Sequence, residues 1–286
     1  MKVAVVQNKP RKGDLEKNLT DIEDHFRQIA QGGPVDLIVL PEAALTGYFL
    51  EGAVYDTALT SGAAADLIAG AWRRASGGEP AGIVLGFYEN SAGTFYNAAV
   101  YVRVERDVQT VVHVHHKVFL PTYGVFDEER FLSRGTSLAT FETVDGPAAI
   151  LICEDAWHSI MPTIAAMKGA RYLIIPSASP GRGVSGSGEL ENVSDWNAML
   201  RLYAVEHGCY VIYAGLAGFE GGKGMTGSSC IIDPRGNVLV TAPLIGATIL
   251  RADLDSREID LARAGLPLLG DLRAALPELL ADWPQR

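Results

Sequence analysis

Residues 148–157 read AAILICEDAW, five apolar positions followed by Cys153 and then Glu154, Asp155, Ala156 and Trp157. A short apolar run of this kind is a buried strand, and the polar residues after it open a helix, so Cys153 stands at a strand-to-helix corner. A thiol there lies at the carboxyl edge of a sheet, where helix N–H groups favour a thiolate and can bind an oxyanion. A free cysteine is also an ordinary core residue, and the corner alone leaves both readings open. Cys209 in HGCYVIY and Cys230 in SSCIID lie inside apolar strands and fit the core reading better.

Downstream the pattern repeats. A helix from about 157 to 168 leads to strand RYLIIP (171–176), a helix from about 190 to 207 and strand YVIYAG (210–215). SSCIIDP (228–234) and GNVLVT (236–241) are two further strands around the turn Asp233–Gly236. Upstream, strand 3–7, a helix from Asp14 to Gln31 with Leu15, Leu19, Ile22, Phe26 and Ile29 on one face, and DLIVLPE (36–42) form a β-α-β unit. A helix around 62–76 precedes three β-rich runs at 81–90, 94–104 and 108–121, the first two joined through Asn90–Gly93. Strands alternating with helices, plus an antiparallel portion, define an α/β fold with mixed sheets.

Glu42 follows DLIVLP, just past a buried strand, where α/β sheets place their ligands. A carboxylate held there suits a general base, with a solvated loop residue as the plain alternative. Lys117 closes the third β-rich run and precedes FLPTYG. A cation at that strand end can hold a thiolate or a negative oxygen, although strand-end lysines are usually solvated. Nucleophile, acid–base carboxylate and fixed cation, each at a strand end of a separate segment, make a complete set for covalent hydrolysis.

Three segments, IVLPEAALTGY (38–48), HHKVFLPTYGVFDEERFLSRG (115–135) and ILICEDAWH (150–158), resemble the nitrilase superfamily of carbon–nitrogen hydrolases in order and spacing. With the later GSSCIIDPRGNVL (227–239), the resemblance covers most of the chain. It implies a four-layer α-β-β-α sandwich, assembled as homodimers or larger homo-oligomers, that uses neither cofactor nor metal. It implies catalytic roles for Glu42, Lys117 and Cys153, and adds a second glutamate, Glu128 by its place before Arg130-Phe131, with Glu129 as the adjacent register. That glutamate would orient Lys117 and hydrogen-bond the leaving group.

Cys-Glu-Asp at the nucleophile resembles amidases and the glutaminase domain of glutamine-dependent NAD synthetase, whereas true nitrilases usually show Cys-Trp-Glu. Ser177–Pro180 resembles the same glutaminase domain, which would give Ser179 and Tyr123 substrate-binding roles. The arginine that follows there has no aligned counterpart, because Arg182 is displaced within a Gly/Ser-rich stretch. The implied reaction is ping-pong hydrolysis of a small linear amide. Glu42 takes the thiol proton and Cys153 attacks. Lys117 and the Glu154 backbone N–H hold the oxyanion, ammonia departs, and water cleaves the thioester.

Other readings stand beside this one. His158, five residues past Cys153, could serve a Cys–His pair. His113 and His115 share a strand face, as a metal pair would, but no Cys or carboxylate with matching spacing accompanies them. A nitrilase or carbamoylase, a glutaminase subunit supplying ammonia to a separate synthetase, and a catalytically idle scaffold are the remaining alternatives. No Walker-type nucleotide loop is present, so ATP use would need a partner. Tyr48, Phe126, Trp157 and Trp196 lie near the motifs, but aromatics there are more often packing residues.

Composition narrows the class. The 24 basic and 34 acidic residues give a net charge of -10 with no basic run, which argues against a nucleic-acid partner. The 286 residues, 48% hydrophobic, suffice for one large core, expected over 1–260, with a tail at 261–286. The tail's spaced leucines and its prolines 267, 277 and 284 predict only short helices, packed at an oligomer interface. Three widely spaced cysteines and no C-x-x-C fit a reducing cytoplasm. The opening MKVAVVQNKP breaks at Gln7 before a signal h-region could form, and no apolar stretch approaches the ~18 to 20 residues of a membrane span, which predicts a soluble protein. Residues 180–189, PGRGVSGSGE, read as a mobile loop beside a site.

Overall fold

In the computed structural model, which describes residues 1–184, 186 and 190–282, the first strand of the chain and the last lie side by side in one sheet. The strands are β1 (Lys2–Gln7), β2 (Leu37–Val39), β3 (Ala81–Ser91), β4 (Thr94–Val104), β5 (Gln109–His116), β6 (Phe141–Thr143) and β7 (Gly146–Ile150). They continue as β8 (Tyr172–Ser177), β9 (Tyr210–Gly215), β10 (Ala217–Glu220), β11 (Lys223–Thr226), β12 (Cys230–Ile232), β13 (Val238–Thr241) and β14 (Thr248–Asp253). The α-helices are α1 (Leu15–Gln31), α2 (Val54–Thr57), α3 (Ser61–Ser76), α4 (Glu154–Trp157), α5 (Ile160–Met167), α6 (Glu191–His207), α7 (Ser256–Gly265) and α8 (Leu268–Ala281).

The first sheet runs β14-β1-β2-β3-β4-β5 and the second β13-β12-β9-β8-β7-β6. Both are mixed: β1, β2 and β3 pair in parallel, as do β7, β8 and β9, with antiparallel strands outside them. Alternation explains the layering. Ala4, Val6, Ile38 and Leu40 face α1 and α3, whose Ile22, Phe26, Ile68 and Trp72 cover them. Val3, Val5, Leu37, Val39 and Val84 face the other way and join the core shared with the second sheet. Helices α5 and α6 close the far side of that sheet. The result is the four-layer α-β-β-α sandwich of mixed sheets expected from sequence.

Helix α1 is set by its apolar spacing and by Asp14, whose side chain accepts the Lys17 N–H at its start. The expected helix over 157–168 differs. It begins earlier, at Glu154, breaks at His158 in extended backbone, and restarts as α5. Pro162 is the physical reason, because it has no N–H to give the His158 carbonyl and is tolerated only in the first turn of the new helix.

The tail departs from expectation as well. Helix α8 runs through Pro277 for 14 residues rather than breaking into shorter pieces. Pro277 is exposed, so the helix loses a backbone bond there without a buried group being stranded. The hairpin β10–β11 and strand β14 were not foreseen. The 180–189 reading falls partly outside the described residues, as does the part of the tail reading that concerns residues 283–286.

Candidate active site

Glu42 sits just beyond β2 and is completely buried. Ala43 after it takes φ 50°, a conformation costly for a residue with a side chain, so the turn holding Glu42 is over-determined by its surroundings. Gly86 of β3 makes the close approach possible: a Cβ on it would stand 2.3 Å from the Pro41 carbonyl oxygen and 2.6 Å from Glu42 Cα. Lys117 follows β5 directly, and its backbone is tied to Asn97 of β4 by an N–H to O bond of 2.9 Å.

These two segments meet. The Lys117 Nζ donates to Glu42 Oε1 at 2.8 Å and to Glu128 Oε1 at 2.7 Å. Glu128 is turned inward, whereas its neighbour Glu129 is exposed. Asn97 Nδ2 donates to Glu42 Oε1 at 2.7 Å and reaches Glu128 Oε1 at 3.4 Å. The Tyr48 hydroxyl donates to Glu128 Oε1, and the Ala178 N–H to Glu42 Oε2 at 2.7 Å. Glu128 Oε2 is buried without a hydrogen-bond partner among the described residues.

Cys153 comes from the second sheet. Its N–H bonds the Pro176 carbonyl at 2.9 Å, extending the pairing with β8 past the end of β7, and its φ of 45° marks a strained corner. The Ser177 hydroxyl donates to Cys153 Sγ at 3.2 Å. Asp155, two residues on, fastens this corner to the Lys117 segment. It accepts the N–H groups of Val118 (2.9 Å), Phe119 (3.0 Å) and Ile152 (3.0 Å) and pairs with His115 Nε2 at 2.8 Å.

Electrostatics follow from burying two carboxylates around one ammonium. Burial alone would depress the Lys117 ammonium, but Glu128 and Glu42 outweigh it and hold its pKa well above the usual lysine range. Burial pushes Glu128 up to about 7, against the pull of Lys117. Burial, reinforced by Glu42, drives the Cys153 thiol well above its ordinary value, with Lys117 and the Ser177 hydroxyl opposing. Helix N–H groups were expected to favour the thiolate. In the resting site burial wins, and helix α4 spans only four residues. A thiol so held needs a base to become a nucleophile.

The remaining residues form one wall. Tyr123 donates its hydroxyl to Glu154 at 2.9 and 3.1 Å from the two carboxylate oxygens. The Ser179 hydroxyl oxygen accepts from Asn192 Nδ2 and Trp196 Nε1, both at 3.2 Å, which leaves its own proton to donate. Arg182, displaced in sequence, lies beside this wall, its guanidinium 5.4 to 5.9 Å from the rings of Tyr123, Phe126 and Trp157.

His158 stacks on Phe119 and lies 3.9 Å from Glu154 Oε1, while the thiol's bond is to Ser177. His113 stacks on Phe141 and His115 holds Asp155, which accounts for the histidine pair structurally.

Sequence reasoning missed Asn97, Ser177, His115 and Asp155, and set Tyr48 aside as packing. Asn97 and Ser177 lie within strands of ordinary pattern. Tyr48, His115 and Asp155 lie inside the three motif segments, which is the local signal they carried.

The chain belongs to the carbon–nitrogen hydrolase family, whose sequence model matches residues 2–264. It is similar to the glutamine-dependent NAD(+) synthetase of Thermotoga maritima, 27% identical over 258 residues that cover 90% of this chain and 42% of that protein. The chain spans about half the length or less of the first curated relatives it matches. Among solved structures, the carbon–nitrogen hydrolase of Helicobacter pylori G27 superposes with a TM-score of 0.87 at 22% identity, covering 100% of this chain and 99% of its own. The NitN amidase of Nesterenkonia sp. AN1 superposes at 0.77 with 25% identity, over 99% and 100% of the two chains. These likenesses fit the double-sheet sandwich described above.

Among the described residues no helix is long and apolar enough to cross a membrane.

Proposed function

We propose that the chain hydrolyses non-peptide C–N bonds of small amides through a thioester on Cys153. One observation carries the reading: the Glu42 carboxylate is fixed by Lys117, Asn97 and the Ala178 N–H at a site where burial keeps the Cys153 thiol protonated. Glu42 takes the thiol proton as Sγ attacks the amide carbon, and Lys117 with the Glu154 N–H stabilises the oxyanion. Glu42 returns the proton to the departing nitrogen, then activates the water that cleaves the thioester. Glu128 orients Lys117 and faces the leaving group.

Ammonia release from a panel of simple amides, glutamine, carbamoyl compounds and nitriles, with intact mass spectrometry for an acyl adduct on Cys153, tests this. Turnover of simple amides with an adduct supports it. Silence across the panel without an adduct counts against it and favours an idle scaffold.

Arg182 favours a second reading. A guanidinium beside Tyr123, at the wall carrying Glu154 and Ser179, suits an amide with an anionic end such as glutamine, and several relatives are glutamine-dependent synthetases. Turnover of glutamine alone would point to a subunit supplying ammonia to a separate synthetase.

The reading includes a homodimer or larger homo-oligomer, supported by exposed leucines 261, 266, 268, 279 and 280 on and between α7 and α8. Three free cysteines fit a reducing compartment such as the cytoplasm.

A further inference from the structure

Beside the Glu–Lys–Glu cluster lies a pocket of about 270 Å³ whose walls include Tyr48, Phe49, Val54, Tyr88, Leu132 and Glu128. Cys153 is not among the residues lining it. Aromatic and aliphatic side chains form its inner wall together with the buried Glu128 carboxylate, and the charged Glu51, Asp127, Arg130 and Lys223 line its more exposed side. Glu128 Oε1 is occupied by Lys117 and the Tyr48 hydroxyl, but Oε2 has no donor among the described residues. When Glu128 is ionised this buried acceptor is left unpaired, which is costly, so the pocket then calls for an occupant that brings an N–H on an apolar body.

We infer that this pocket receives the amine side of the substrate, so that the enzyme accepts N-substituted amides carrying an apolar or aromatic N-substituent as well as primary amides. The inference rests on the amide-hydrolase reading of the same site. Phe126 divides the two sides. Its ring meets Tyr123 at 5.5 Å, on the wall with Glu154, and Tyr48 at 6.1 Å, on the pocket side. The acyl carbon must reach Cys153, which places the acyl group off the pocket and points the scissile nitrogen toward Glu42 and Glu128.

A primary amide has two N–H donors on that nitrogen. A singly substituted one keeps one donor for Glu128 Oε2 and sends its substituent into the pocket. At about 270 Å³ the pocket exceeds the roughly 150 Å³ that accommodates a benzene ring, so a benzyl-sized group has room here.

The chemistry balances with water as the only co-reactant. The Sγ–C bond forms and the C–N bond breaks. Glu42 passes the former thiol proton to the nitrogen, which leaves as a primary amine instead of ammonia, and water then yields the carboxylic acid and the free thiol.

The test compares the best primary amide with its N-methyl and N-benzyl derivatives, reading amine and ammonia release, in the wild-type chain and in Val54→Phe and Val125→Trp. Val125 also lines the pocket, is exposed, and makes the second variant tolerant of folding. Turnover of the N-benzyl amide, lowered about tenfold or more by either variant while the primary amide changes less than about twofold, is expected. Primary-amide turnover without any release of benzylamine would overturn this inference alone. Equal losses on both substrates in folded variants would overturn it too. No turnover of any amide would overturn it together with the reading beneath it.

Discussion

Asp155 Oδ1 accepts the backbone N–H of Val118 at 2.9 Å, joining the residue two places after Cys153 to the residue one place after Lys117. The carboxylate is fully buried and takes two further N–H bonds, from Phe119 and Ile152. Replacing it by Asn would turn an amide –NH2 against at least one of these donors, at about 1–3 kcal/mol for the stranded group. Asp155→Asn should lower kcat with little change in KM, because Lys117 and Cys153 lose their common anchor. A lowered melting temperature with kcat intact would leave Asp155 a purely structural role.

Gly86→Ala tests how closely β3 supports Glu42. The new methyl would overlap the Pro41 carbonyl and Glu42 Cα, and this backbone can yield only by moving Glu42. A stability loss of about 1–3 kcal/mol is expected, with a fall in activity larger than stability accounts for. Full activity in a folded Gly86→Ala chain would mean the Glu42 turn is freer than its contacts indicate.

Glu128 makes stability depend on pH. Its folded pKa of about 7 lies above the ordinary 4.5, so its protonated form favours the folded state. That contribution is complete below the unfolded value and is lost as pH rises through about 7. Urea unfolding of wild type and Glu128→Gln, repeated across this range, should show wild type losing ground steadily as pH rises. Parallel curves would contradict the assignment.

The three cysteines should separate cleanly. Cys153→Ala is expected to abolish turnover and any acyl adduct, while Cys209→Ala and Cys230→Ala, both buried in or beside strands, should cost only packing and leave activity in place. Intact mass and steady-state assay of the three variants decide it. Full turnover by Cys153→Ala would remove the thioester from the mechanism.

Glu42, Lys117 and Cys153 could be singled out from sequence because each follows a β-rich segment, at strand ends where α/β sheets place their ligands, whereas Glu128 was legible only through the resemblance of the 115–135 segment to a known family. The layers were legible for a related reason: strand alternation and the α1 stripe declare which face is buried. Asn97 and Ser177 were not legible, since a polar residue inside a strand looks the same whether it faces solvent or a buried carboxylate. That His115 pairs with Asp155, 40 positions away, leaves no local trace. The α4–α5 break could have been read from Pro162, whose missing N–H falls one turn after His158.

Glu42 and Lys117 belong to the first sheet and Cys153 to the second, so the cluster straddles the seam between them. On the proposed mechanism, a folding chain that has completed either sheet alone holds a base without a nucleophile or a thiol without a base. Reactivity therefore arrives in a single event, when the sheets dock. Recovery of turnover during refolding should accordingly lag the return of helix and strand signal and time the docking itself.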